Sequence, residues 1–111
     1  MIRGAVYRID LGTARRGHEQ RGRRFGIVVS PAELPWSIAT VVPTSRSAGP
    51  AAFRPEVEVL GEPTRALVDQ LRSIDVSFAS NEPVDVLNRP DLQALERALS
   101  RYLGLPDPER R

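Results

Sequence analysis

The sequence predicts a mainly β domain, a small antiparallel barrel followed by one C-terminal helix. Three observations carry this reading. Six or seven short apolar runs, rich in Val and Ile, are cut apart by turns containing Gly and Pro. One amphipathic stretch with helical spacing stands last, beyond Asn88. The few aromatics (Tyr7, Phe25, Trp36, Phe53, Phe78, Tyr102) do not make the stacking sheet of an RRM, so the core is expected to be aliphatic. A chain of 111 residues is one domain, able to bury roughly two-thirds of its unfolded surface. Its expected bounds are residues 1–105, with 106–111 a C-terminal tail.

Taken in order, Ala5 to Leu11 alternates loosely and reads as a first strand. Gly12 to Arg23 is a long polar loop, of the kind that carries function. Phe25 to Ser30 crowds branched residues together as a second strand. Pro31 to Pro35 punctuates, with a helical turn started by Pro31. Ser37 to Pro43 is a third strand ending at its proline, and Ser45 to Pro55 is a loop. Val57 to Leu60 alternates apolar and acidic residues, which suits a half-buried strand. Gly61 to Thr64 turns the chain. Ala66-Leu67-Val68 and Ile74-Asp75-Val76 then read as two strands or one bent strand, and Val84 to Leu87 as a short one. Asn88-Arg89-Pro90-Asp91 is a helix start signal. Leu92, Leu95, Leu99, Tyr102 and Leu103 share one helical face, and Gly104 with Pro106 ends it.

Composition excludes several classes of chemistry. No apolar run is long enough to span a membrane, and the N-terminus lacks the apolar core of a secretory signal, so a cytoplasmic protein is expected. The absence of cysteine removes disulfides and thiolate catalysis, and a lone His18 leaves no histidine-built metal site. No cofactor is expected: neither a P-loop nor a dinucleotide fingerprint occurs, and no Gly-x-Ser-x-Gly elbow is present. All 16 basic residues are Arg, whose planar fork suits phosphate and base edges. The competing reading of much of that preference is genomic base composition rather than selection. Between Arg3 and Arg24 seven Arg face only Asp10 and Glu19, while Glu82 to Glu96 is acidic. A basic N-terminal surface fits a nucleic-acid partner.

The stretch Gly17 to Ser30 joins a glycine-punctuated polar loop to a buried strand and sets His18, Glu19, Gln20 and three Arg at the strand entrance. RNA carries its own nucleophile, the 2′-OH, so in-line attack on the adjacent phosphorus asks for positioning, charge stabilisation and two proton transfers. If the second and third strands pair, Arg24 and Thr44 approach each other. Arg24 would then grip phosphoryl oxygens bidentately and Thr44 would add a neutral donor. The competing reading of Thr44 is a turn hydroxyl bonded to its own backbone.

Gly17-His18-Glu19-Gln20, a Gly two places on, and Arg24 leading into Ile27-Val28-Val29-Ser30-Pro31 resemble the hallmark of the MazF/PemK (Kid) toxin family. Ala66 to Asp75 resembles that family's other signature, and Gly4-Ala5-Val6-Tyr7 and Val42-Pro43-Thr44-Ser45 extend the likeness to nearly the whole chain as far as Gly104. The resemblance implies an SH3-like barrel, the fold of MazF, Kid and CcdB. It implies a homodimer with single-stranded RNA across its interface, and a cognate antitoxin whose disordered acidic C-terminal segment fills the groove. Metal-independent cleavage would leave a 2′,3′-cyclic phosphate and a 5′-OH. Arg24 and Thr44 match the family's catalytic Arg and Thr, while His18 aligns with a His of the Kid branch. Glu19 and Gln20 fall in the loop that closes over RNA. Asp69 and Gln70 match positions that touch substrate or, in Kid, assist catalysis. Arg23, Ser45 and Arg72 complete the expected RNA-binding set.

Arg24, with a side-chain pKa above about 12, is assigned to charge stabilisation and proton donation to the leaving 5′-oxygen. His18, Glu19 or Asp69 is left to take the 2′-OH proton. Asp69 has a second reading, a structural pair with Arg72 or Arg24, and His18 a second one as a solvated loop residue. Two positions depart from the family pattern. Phe25-Gly26 follows Arg24 where Pro is usual, and Leu67 stands where Kid has an Arg two places before its aspartate, which favours the version built on Arg and Thr. The rivals are a CcdB-like topoisomerase poison and an inactive, RNA-binding paralogue. Base selection is expected to rest on two loops, Ala14 to Arg23 and Ser45 to Pro55.

Overall fold

The computed structural model describes residues 1–12, 22–32 and 37–106. Among these, seven strands form one curled antiparallel sheet: β1 (Ala5–Asp10), β2 (Arg23–Val28), β3 (Ile38–Ser45), β4 (Glu56–Val59), β5 (Glu62–Ala66), β6 (Arg72–Asp75) and β7 (Asp85–Val86). A single helix, α1 (Arg89–Leu103), follows them. The strand order is β4-β5-β3-β2-β1-β7, with β6 also paired to β3. The sheet is nearly closed, and two carboxylates bridge the remaining gap. The backbone N–H of Glu58 donates to Asp91 Oδ2 at 2.8 Å, and that of Leu60 donates to Asp85 Oδ2 at 2.7 Å. Side chains from β7 and the first turn of α1 thus satisfy edge donors of β4 and of the turn residue that follows it, which would otherwise invite another strand.

The core is aliphatic, as composition predicts. Val6, Ile27, Val42, Val57, Val59 and Val68 pack against Leu87, Leu95 and Ala98. The opposite face of β1–β3 carries a second cluster, Tyr7, Ile9, Leu11, Val28, Val41 and Ile74. Both faces of these central strands are therefore buried, which explains their continuous runs of Val and Ile.

Several element boundaries differ from the sequence reading, among them β2, which starts two residues before Phe25 and ends at Val28. β3 does not stop at Pro43 but continues to Ser45. Residues Ile38–Val41 pair with β6 and Thr44–Ser45 with β5, so the proline, which has no N–H, falls where the strand changes partner. β5 begins at Glu62, inside the expected turn, because Leu60 and Gly61 alone make the reversal. Both have positive φ, 52° and 78°, as a two-residue type I′ hairpin requires. Leu67 and Val68 leave the sheet for a 3₁₀ turn over Val68–Gln70, and Val76–Phe78 forms another beyond β6. The expected turn at Pro31–Pro35 lies mostly outside the described residues.

The helix starts and stops where its signals lie. Asn88 Oδ1 accepts from the N–H of Asp91 at 2.9 Å, and Gly104 adopts φ of 70° while the N–H of Leu105 reaches back to Ser100 O at 2.7 Å. Its buried face centres on Leu95 and Ala98. Tyr102 and Leu103, expected on that face, are 40% and 53% exposed. Tyr102 meets the ring of Phe53 edge-on, with centroids 5.3 Å apart. No helix among the described residues is long and apolar enough to cross a membrane.

A basic cleft at the end of the barrel as candidate functional site

The β2–β3 register pairs Gly26 with Pro43 and Ile27 with Val42. Continuing that register past its last pair brings Phe25 level with Thr44 and Arg24 level with Ser45. On the other side, β1 sets Ile9 opposite Arg24 and Arg8 opposite Phe25. Strand alternation therefore points Thr44 to the face of Phe25 and Arg8, and Arg24 to the face of Ile9 and Ser45. Register alone would separate the two side chains. Both residues nevertheless line one cleft of about 840 Å³ at this end of the sheet. The long Arg24 side chain turns toward β3, and its Nη1 donates to the carbonyl of Thr44 at 3.3 Å. Thr44, 5% exposed, donates its hydroxyl to the carbonyl of Phe25 at 3.1 Å.

Arg8, Arg23, Arg24 and Arg46 line this cleft, against the carboxylates of Asp10 and Glu62, so its walls are net basic. Arg8 lays its guanidinium over the ring of Phe25, 5.1 Å from the centroid. Asp10 Oδ1 accepts from the N–H of Gly12 at 2.8 Å, fixing the chain at the end of β1. Gly26 is required by close approach rather than by a turn. A Cβ there would sit 2.5 Å from Cδ1 of the buried Ile9, which itself lines the cleft. Phe25 therefore occupies the expected proline position without displacing Arg24 from the cleft.

The expected site residues fall into three groups. Arg23, Arg24, Thr44 and Ser45 are brought together in the cleft. His18, Glu19 and Gln20 lie outside the described residues. Asp69, Gln70 and Arg72 are not among the residues lining the cleft. The partner of Asp69 is Arg54, rather than Arg72 or Arg24: the Arg54 Nε and Nη2 donate to Oδ1 and Oδ2 at 3.0 and 2.8 Å. That bidentate bond is the main reason the Asp69 carboxyl is held below the usual carboxylate range, against the opposing effect of burial. Gln70 closes the 3₁₀ turn that carries Asp69, and Arg72 opens β6 opposite Val41, with its side chain exposed.

Sequence reasoning missed Arg8, Arg46 and Phe78, which line the cleft, and Arg54, which holds Asp69. Alternation along β1 puts Arg8 on the Asp10 face and was available as a signal. Phe78 and Arg54 are placed by long-range packing that no local pattern encodes.

A nearly closed barrel of strands with a C-terminal helix and a basic cleft at its end is the architecture of the small MazF toxins. The chain superposes on MazF from Deinococcus radiodurans with a TM-score of 0.81 and 26% identity, over 95% of this chain and 97% of that one. It also superposes on an endoribonuclease in complex with its cognate antitoxin from a mycobacterial species, with a TM-score of 0.78 over 97% and 99% of the two chains; at 18% identity this likeness is one of fold. Residues 2–103 match the family of PemK-like, MazF-like toxins of type II toxin–antitoxin systems, and the chain belongs to that family. A relative in Mycobacterium tuberculosis strain H37Rv, Rv3098A, named provisionally as a toxin, is 59% identical over 105 residues, 95% of this chain and 99% of its own.

Proposed function

We propose that the protein is an endoribonuclease toxin of the cytoplasm that cleaves single-stranded RNA without a metal and is neutralised by a cognate antitoxin. The observation that carries this reading is the convergence of Arg24 and Thr44 in one basic cleft. The 2′-OH of the substrate attacks the adjacent phosphorus, the 5′-oxygen leaves, and the products are a 2′,3′-cyclic phosphate and a 5′-OH. The Arg24 guanidinium faces the charge gathering on the phosphoryl oxygens and donates a proton to the leaving oxygen. Thr44 gives up its bond to Phe25 and donates to a phosphoryl oxygen. With Asp69 engaged by Arg54, proton acceptance from the 2′-OH falls to His18 or Glu19, which lie between β1 and β2 in sequence. Arg8, Arg23 and Arg46 hold the flanking phosphates. Two copies pair with the RNA lying across both, and an acidic segment of the antitoxin competes for the same basic surface.

Incubating the purified chain with long RNA in EDTA tests this. Cleavage that leaves cyclic phosphate ends, and is lost in Arg24→Ala, is the expected result. Loss of turnover on chelation overturns the metal-free route. Intact RNA together with inhibition of gyrase points instead to a topoisomerase poison on the same barrel, and RNA binding without cleavage to an inactive paralogue.

A further inference from the structure

Phe78 is 56% exposed, yet it is not on a loop free to fold it away. It ends the 3₁₀ turn Val76–Phe78, which is tied down on both sides. Asp75 Oδ1 accepts from the N–H of Ser77 at 2.9 Å, and the N–H of Val76 donates to Ser37 O at 2.7 Å. Beyond the ring, Ala79 bridges to Ile9, and the N–H of Ser80 donates to Arg8 O at 2.8 Å. The backbone therefore presents an apolar ring to solvent at a fixed place, and that place is the wall of the cleft holding Arg24 and Thr44.

The second cleft phenylalanine is already engaged, since Arg8 covers a face of Phe25. Phe78 has no ring or guanidinium partner among the described residues. An uncovered aromatic face in the same cleft as Arg24 and Arg46 complements one kind of occupant well: a flat, apolar base attached to a phosphodiester. Aromatic residues set along a cationic groove are the usual means of holding unpaired bases. We propose that Phe78 stacks on one nucleobase of the bound RNA strand and so helps decide which nucleotide sits beside the scissile phosphate. This rests on the endoribonuclease reading above and adds a specificity-determining residue to it.

The test compares wild type, Phe78→Ala and Phe78→Trp on short single-stranded RNAs. A matched set replaces one nucleotide at a time by an abasic unit, and a second carries a 2′-deoxy unit at the cut to allow binding without cleavage. Loss of one stacked base typically costs about tenfold in affinity. Phe78→Ala should therefore raise KM, and the Kd of the blocked strands, about tenfold with kcat little changed. Phe78→Trp should retain tight binding. At one abasic position, and only there, wild type and Phe78→Ala should become equal. Unchanged Kd in Phe78→Ala, or a penalty that persists at every abasic position, overturns the proposal. So does a shift of Phe78→Ala from dimer to monomer in sedimentation, which would assign the ring to a second copy of the chain. If wild type leaves RNA intact, the endoribonuclease reading fails, while the blocked strands still decide whether Phe78 stacks.

Discussion

Thr44 contributes a hydroxyl from a nearly closed position, and its present acceptor is the backbone of the residue following Arg24. The bond ties β3 to β2 at the cleft and holds the hydroxyl within reach of whatever Arg24 binds. Thr44→Val keeps the shape and removes the oxygen. It should cost about 1 kcal/mol of stability, since the Phe25 carbonyl loses a donor, and about a hundredfold in single-turnover cleavage rate, as removal of such a donor commonly does. Thr44→Ser should recover most of the rate. Wild-type cleavage by Thr44→Val would return Thr44 to the role of a structural hydroxyl. Gly26 makes a different kind of contribution. Gly26→Ala puts a methyl 2.5 Å from Cδ1 of Ile9 and within 3.3 Å of its Cγ1 and Cγ2, so that side chain must shift toward the cleft it lines. Overpacking of this sort costs about 1–3 kcal/mol, and thermal unfolding would register it. The Arg24–Thr44 pair was legible in the sequence because both residues flank strong strand runs. Its geometry was not, since alternation puts the two on opposite faces although both line one cleft.

Among the elements, local devices were the readable ones. The helix caps and the alternation of β4 are written into neighbouring residues, and they appear where expected. The β4–β5 hairpin shows the limit of that reading. Its Gly61 suggested a turn, but Leu60 gives no sign that it must adopt φ of 52°. A leucine there carries the strain of a left-handed residue, so Leu60→Asn should stabilise the protein by about 1 kcal/mol. Thermal unfolding should rise by roughly 4–6 °C. The Arg54–Asp69 clip was illegible for another reason: it joins the loop after β3 to the turn after β5, and no periodicity links the two. Both side chains are under a third exposed, 26% and 30%. The pair is bidentate and worth about 1 kcal/mol. Because the Asp69 pKa is lowered in the fold, this stability is fully present above the ordinary aspartate pKa of about 4 and is lost as pH falls through the lower folded value. Asp69→Asn should therefore be less stable than wild type at pH 7 and converge with it in acid. Urea titrations at pH 7 and below 3 would show this. A constant difference across that range would mean the clip is not the source.

Viewed over the whole molecule, the net charge of +2 conceals two opposite local imbalances that the fold uses separately. The basic N-terminal quarter supplies Arg8, Arg23 and Arg24 to the cleft, where Arg46 joins them. The acidic segment before and within α1 supplies Asp85 and Asp91, which close the barrel on the far strand edge. The charge asymmetry was visible in the sequence, and its sign at the cleft followed from it; that the acids would serve as hydrogen-bond acceptors for β4 did not. If the four cleft arginines neutralise phosphates, binding must release counterions in proportion. A single strand gives a slope of about 0.7 per neutralised phosphate in a plot of log affinity against log salt. Four contacts then predict a slope near −2.8 for a 2′-deoxy-blocked strand. Arg46→Ala should flatten the slope by about 0.7, because it removes one contact outright. Glu62→Gln should raise affinity most at low salt and less as salt rises, because the carboxylate's repulsion of phosphate is itself screened by ions. A slope near zero in wild type would mean that RNA does not lie along these arginines, and the cleft would lose its claim to the substrate.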